Sequence, residues 1–356
     1  MKEIRKDCFM TEHNTTTEEI RQTRKPASSQ KKKKRKVRYG ALAVLAAGVL
    51  LIAVLLIWGI SSLFSHQESR NYQKQASEII ETEKSRLSQI ESIEKPKAIS
   101  QETFDALRAQ AADESAISAI DAAAVTTEDE LAALQDDLQK SSASQAAYLL
   151  EHINDYTEDI LAFYLRDFDR YEFVKAWPVR DQYQSPVETL EEGVESVPAL
   201  LQWDLRWGYQ PYGDDMIYSV GCAPTTFSMV ASYLNQDPSM TPRAAADQAM
   251  ELGAYESGQG TLYSYFDQAA QANGLVSEMI ETTPESVQAA LDEGKVLIFH
   301  LLPGQFTTFG HFVVVPSMEN GQLKINDPNS IERSDRLWDP QEVLSETAAI
   351  WAFSKP

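Results

Sequence analysis

Residues 219–234 read Ser219-Val220-Gly221-Cys222-Ala223-Pro224-Thr225-Thr226-Phe227-Ser228-Met229-Val230-Ala231-Ser232-Tyr233-Leu234. Phe227, Val230, Ala231 and Leu234 recur at i, i+3, i+4 and i+7, which is one face of a helix starting at or just after the cysteine. Pro224 suits a first turn, where no amide hydrogen is needed. A cysteine at that point meets the positive end of the helix dipole, which favours the thiolate. Gly221 is expected to leave room for a substrate beside the sulfur. Two readings of Cys222 stand side by side here: a nucleophile, or a small buried residue of the core.

Downstream, helix and strand signals alternate. Thr241-Pro242 opens a helix that Gly253 closes, and Thr283-Pro284 opens another that Gly294 closes. Thr261 is expected to cap a helix between them, ended by Asn273-Gly274. Residues 296–302 are a short apolar run of the buried-strand kind. Residues 312–316 and 322–326 flank a turn at Glu319-Asn320-Gly321 and predict a β-hairpin. Asp339-Pro340 begins a short helix, and residues 348–353 a last strand. Helices come first and an antiparallel sheet follows, so the class is α+β.

A thiolate nucleophile needs a partner for the proton. Beyond the N-terminal head the chain offers His66, His152, His300 and His311. His66 follows the apolar segment, and His152 lies on a predicted helix. His300 sits within Val-Leu-Ile-Phe-His-Leu and is expected to be a satisfied core residue. His311 follows Gly310 at the mouth of the hairpin, and Asp327 ends its partner strand. With an odd-length loop or a bulge, residue 311 faces residue 329 and Asp327 shares its face. With a plain two-residue loop the faces do not match, so the catalytic reading calls for a three- or five-residue loop. In the competing reading Asp327-Pro328 is simply a turn.

Charge is distributed in three blocks. Residues 1–40 carry 13 basic and 5 acidic residues, residues 41–64 none, and residues 65–356 carry 19 basic and 48 acidic. The acidic body excludes nucleic acid as a partner, because phosphates are repelled. About 20 apolar residues span a hydrocarbon core of about 30 Å, so residues 39–64 read as a transmembrane helix. A cleaved signal peptide would have a shorter apolar run and a small-residue cleavage site, whereas this run ends in Trp58, Leu63 and Phe64. The positive-inside rule places residues 1–38 in the cytoplasm, as a disordered basic head, and the body outside the cell. Residues 66–145 read as a helical or partly disordered extracellular stalk, interrupted by Pro96. Residues 146–198 read as accessory helices and an acidic connector, and residues 199–356 as the globular domain. With Cys8 in the head, Cys222 is the sole cysteine of the body, which leaves no internal disulfide there. No metal-binding motif or phosphate loop is present, so no cofactor is expected.

Residues 200–356 resemble the bacterial peptidase-like domains related to the double-glycine leader peptidases of bacteriocin exporters, within the papain superfamily. The matching stretches are Gln202-Trp203-Asp204-Leu205-Arg206-Trp207-Gly208, Gly221-Cys222-Ala223-Pro224-Thr225-Thr226, Gly260-Thr261, Gly310-His311-Phe312 and Asn326-Asp327-Pro328. The resemblance implies a papain-like fold, Cys222 as nucleophile, His311 as general base and acid, and Asp327 as the group orienting the imidazole. It also implies Gln202 as an oxyanion-hole donor beside the Cys222 backbone amide. Ala223 stands where the family usually has glycine. The usual papain cysteine signature and any ATPase domain are absent, so leader-peptide processing is not carried over. The expectation is a membrane-anchored extracellular cysteine peptidase acting on a peptide. The alternatives are a hydrolase or acyltransferase using a peptidoglycan or other cell-wall amide, and a non-catalytic surface binding module. The sequence does not specify an oligomeric state.

Overall fold

The computed structural model describes residues 39–113 and 115–356. The basic head expected over residues 1–38 lies outside the described residues. The chain divides into two compact units, Met1–Ser65 and His66–Pro356. Helix α1 spans Tyr39–Gln89 and carries a stretch long and apolar enough to cross a membrane. Large apolar side chains in that stretch, including Val49, Leu55, Trp58 and Phe64, are exposed. The helix does not stop at residue 64, because no glycine or proline breaks it between Gly59 and Pro96.

In the second unit α1 is followed by α2 (Gln101–Ala111), α3 (Ser115–Ser118), α4 (Glu128–Lys140), α5 (Ser142–Glu151), α6 (Glu158–Arg166) and α7 (Tyr171–Lys175). Local chemistry sets their starts. Ser100 and Ser141 cap α2 and α5, and Thr127 with Glu130 forms a capping box on α4. Helices this short are marginal alone and depend on packing. They share one core that includes Leu87, Leu107, Leu134, Leu150, Ile160, Tyr164 and Phe173, and this core takes in Trp203, Tyr209 and Tyr218. Phe173 stacks on Tyr209 with ring centres 4.1 Å apart. Residues 66–145 therefore pack as a helical layer continuous with residues 146–176.

The rest of the chain runs β1 (Pro211–Tyr212), β2 (Asp215–Met216), α8 (Ile217–Val220), α9 (Cys222–Asn235), α10 (Pro242–Glu251), β3 (Tyr255–Glu256), β4 (Gly260–Thr261), α11 (Ser264–Ala272), β5 (Val276–Ile280), α12 (Pro284–Asp292), β6 (Val296–Leu301), β7 (His311–Glu319), β8 (Gln322–Asn326), α13 (Ile331–Asp335), β9 (Leu337–Trp338), α14 (Pro340–Ser345) and β10 (Thr347–Ser354). Strands β5 to β10 form one antiparallel sheet in the order β5-β10-β6-β7-β8-β9. One face, with Ile298, Val314, Trp351 and Phe353, packs on Phe227 of α9 and Phe266 of α11. The other, with Leu297, Phe299, Val313 and Ile350, packs on Val287 of α12 and Val343 of α14. Coverage on both faces explains why β6 is apolar at every position but His300. The α+β class expected from the sequence holds. Thr241, Thr283 and Asp339 cap their helices, each with proline in the first turn. Thr261 does not: it lies in β4, where its Oγ1 meets the Tyr212 hydroxyl at 2.6 Å.

The hairpin differs from expectation in an instructive way. Glu319 pairs with Gln322 around Asn320 and Gly321, whose φ values are 53° and 80°. This is a two-residue turn, not the longer loop expected. The parity is corrected elsewhere. Ser317 pairs with Lys324 but Val314 pairs with Asn326, so β7 takes three steps against two on β8. The extra residue is a bulge at Val315-Pro316, where proline has no N–H for the ladder. Beyond the bulge His311 and Asp327 come to the same face.

Gly221 also has a different role from the one expected. A Cβ there would lie 2.4 Å from the Ile217 carbonyl oxygen, a backbone atom. The glycine lets α8 turn directly into α9, rather than clearing space for a substrate. Gly221→Ala should therefore destabilise the fold by about 1–3 kcal/mol, the scale of overpacking. A thermal melt checks this, and an unchanged midpoint would contradict it.

Candidate active site

Cys222 is the first residue of α9, half-buried, with a free thiol. Among the described residues, no backbone carbonyl outside α9 accepts its N–H. The carbonyl four residues earlier, that of Tyr218, instead accepts from Gln202 Nε2 at 2.7 Å. A helix N-terminus leaves such N–H groups unpaired and pointing outward. Gln202 is buried, and its own N–H donates to the Pro328 carbonyl at 2.7 Å. One amide hydrogen of its side chain is used on Tyr218, and its Oε1 has no partner among the described residues.

His311, at the start of β7, is buried. Its Nε2 lies 2.7 Å from Asp327 Oδ1, and the ring shares the cleft wall with the Cys222 side chain, whose charge acts on it. With Nε2 on the carboxylate, Nδ1 is the nitrogen left for the sulfur. Asp327 Oδ1 also accepts the Asn329 N–H at 2.7 Å, and Oδ2 accepts Arg333 Nε at 2.5 Å. Burial alone would raise the Asp327 carboxyl, but His311 and Arg333 hold it below its ordinary value. Burial likewise opposes a charged imidazole, yet the charge and hydrogen bond of Asp327, helped by Cys222, raise His311 to about 9. The structure thus pairs His311 with Asp327 by a hydrogen bond and brings His311, Cys222 and Gln202 to the wall of one cleft.

The cleft has a volume of about 1000 Å³. One wall is the tip of the β3–β4 hairpin, with Gly258, Gln259 and Gly260, and another is the loop at residues 304–310. Phe309 on that loop is 79% exposed. His300 is not the core residue the apolar strand suggested. It pairs with Phe312, lies half-buried in the cleft wall, and hydrogen-bonds through Nδ1 to the Tyr263 hydroxyl. Burial, and then the charge of His311, push its imidazole below the usual value. A second cleft, in the helical layer, contains Arg86, which pairs with both Glu83 and Glu151. Among the described residues no group of three or more His, Cys, Asp or Glu side chains is placed to hold a metal ion.

Sequence reasoning missed Arg333, Asn329 and Arg170. Arg333 had a signal: Ser330 caps α13 three residues earlier, which turns the arginine back towards Asp327. Arg170 had none, because its partner Asn329 lies 159 residues away.

Residues 194–354 match the family model described as Peptidase_C39 like family. No curated protein matches the sequence. Among solved structures, the chain is similar to the peptidase domain of Streptococcus ComA, described as a bi-functional ABC transporter involved in a quorum sensing pathway. That match has 19% identity, covers 39% of this chain and 93% of the other, and has a TM-score of 0.31. It is also similar to a putative C39-like peptidase from Bacillus anthracis, at 15% identity, over 45% of this chain and 96% of the other, with a TM-score of 0.30. The resemblance expected from the sequence motifs therefore holds over residues 194–354.

The His311–Asp327 pair carries a pH signature. The folded imidazole titrates at about 9, above its ordinary 6.5. Its stabilising contribution is complete below about 6.5 and is lost as pH rises through about 9. Equilibrium unfolding at pH 6 and pH 9.5 should differ by up to about 3 kcal/mol, and His311→Asn should flatten that difference. An equal pH dependence in the variant would contradict the assignment.

Proposed function

We propose that this chain is a membrane-anchored cysteine peptidase whose residues 199–356 form the catalytic domain. The observation that carries the reading is the position of His311, buried between Asp327 and a cysteine at the start of a helix, on the wall of an open cleft. In the proposed reaction the Cys222 thiolate attacks an amide carbonyl carbon. The carbonyl oxygen takes the negative charge and accepts from the Cys222 N–H and the remaining Gln202 amide hydrogen. As the C–N bond breaks, His311 gives its proton to the leaving amine. Water then attacks the thioester with His311 as base, releasing the acid and restoring the thiol. Asp327 holds the imidazole in the tautomer that serves both steps.

Anchoring follows from the same reading of charge and hydropathy. The apolar stretch within α1 crosses the bilayer, the basic residues 1–38 stay in the cytoplasm, and the body faces outward.

Two experiments test these statements. The purified chain should hydrolyse peptides from a mixed library, Cys222→Ala should abolish the activity, and Asp327→Asn should lower it by on the order of a hundredfold or more. Cleavage that survives Cys222→Ala would sink the mechanism. If peptides stay intact but purified cell wall is solubilised, the substrate is a cell-wall amide. Separately, protease added to intact cells should remove the body and spare the head, whereas digestion only after lysis reverses the topology.

A further inference from the structure

Arg170 is an arginine with 4% exposure, placed where the helical layer meets the α/β part of the same unit. Its guanidinium lies 4.0 Å over the Phe163 ring, and Nη1 donates to the Phe163 carbonyl at 3.0 Å, so it is anchored in the helical layer. Nη2 crosses to Asn329, donating to its main-chain oxygen at 3.0 Å and its side-chain oxygen at 3.1 Å. Trp203 Nε1 adds a donor to that main-chain oxygen at 3.3 Å. The Asn329 N–H in turn points at Asp327 Oδ1, the oxygen that also takes His311 Nε2.

A buried guanidinium is costly unless its donors are used; here Nη1 and Nη2 are used across two parts of the fold, while Nε makes no hydrogen bond among the described residues and lies 3.9 Å from Asp167 Oδ2. Arg170 does not touch Asp327, and Arg333 already supplies the carboxylate with a counter-charge. What Arg170 holds is residue 329 itself, through its carbonyl and its side chain, and so the place of the Asn329 N–H that keeps Oδ1 in line with the imidazole. We propose that Arg170 is a positioning residue through which the helical layer, absent from the matched residues 194–354, completes the alignment of Asp327 and His311. The inference rests on the reading of Cys222, His311 and Asp327 as the catalytic set.

The test is the pH profile of Cys222 alkylation by iodoacetamide in the detergent-solubilised full chain. Peptide-resolved mass spectrometry separates Cys222 from Cys8, and a free cysteine peptide is the reference. Native Cys222 should react faster than the peptide at pH 6. Arg170→Met, which keeps the apolar bulk, should slow Cys222 at pH 6 by about tenfold, the scale of one charge-assisted hydrogen bond, and move the rising limb to higher pH. Asn329→Ala, which removes one of the two acceptors and leaves Arg170 in place, should shift the profile the same way by a smaller amount. Arg170→Lys, with one donor retained, should recover part of the loss. A purely structural Arg170 would lower the thermal midpoint and leave the profile of the folded protein unchanged. Native profiles in both Asn329→Ala and whichever Arg170 variant folds overturn the proposal. If native Cys222 reacts no faster than the peptide, the catalytic reading falls and this inference falls with it.

Discussion

Asp327 is buried, and its two oxygens accept from His311 Nε2, the Asn329 N–H and Arg333 Nε. A carboxylate in that position is stable only while those donors are held in place. The surroundings are arranged to hold them. Ser334 Oγ accepts the Asp327 N–H at 2.9 Å, while Ser330 caps the short helix that carries Arg333. Pro328, the next residue, accepts the Gln202 N–H, and the Asn326 side chain, the residue before, donates to the carbonyls of Val197 and Pro198. The segment at residues 197–202 is thereby fastened to the end of β8. The same segment places the Gln202 side chain on the Tyr218 carbonyl, just ahead of Cys222. The residues on either side of the buried charge thus tie both ends of the α/β part together.

The sheet is adapted to the same requirement. A tight turn at Asn320-Gly321 suits the right-handed twist of the strands, yet alone it puts residues 311 and 327 on opposite faces. The bulge at Val315-Pro316 reverses the parity within β7. It sits where β7 passes beyond its pairing with β6, whose last partner is Val315 opposite Leu297. Proline at this point leaves no unused N–H in the interior, so the register change carries little penalty.

Much of this was legible in the sequence. Helix caps at Thr241, Thr283 and Asp339, the cysteine at a helix start and the apolar β6 are all local patterns of period or composition. The pairing of His311 with Asp327 was reachable as a parity condition that an odd-length loop or a bulge could meet, but the loop was the device expected, because a bulge depends on how both strands pair. His300 shows the limit of hydropathy. Five apolar neighbours do not reveal that the strand end borders a cleft. The helical layer shows another limit: its Ala- and Glu-rich segments look like spacer, and their core forms only when several weak amphipathic faces meet. Contacts such as Arg170 to Asn329 join distant residues and leave no periodic trace.

The central claim is that Cys222 forms a covalent acyl intermediate that His311 then helps to hydrolyse. The most direct measurement is acid-quenched tandem mass spectrometry of the chain mixed with an activated peptide ester. The account predicts an acyl group on Cys222 that turns over in the native chain and accumulates when His311 is replaced by alanine. Consumption of the ester with no adduct on Cys222, or with the adduct on another residue, would contradict it.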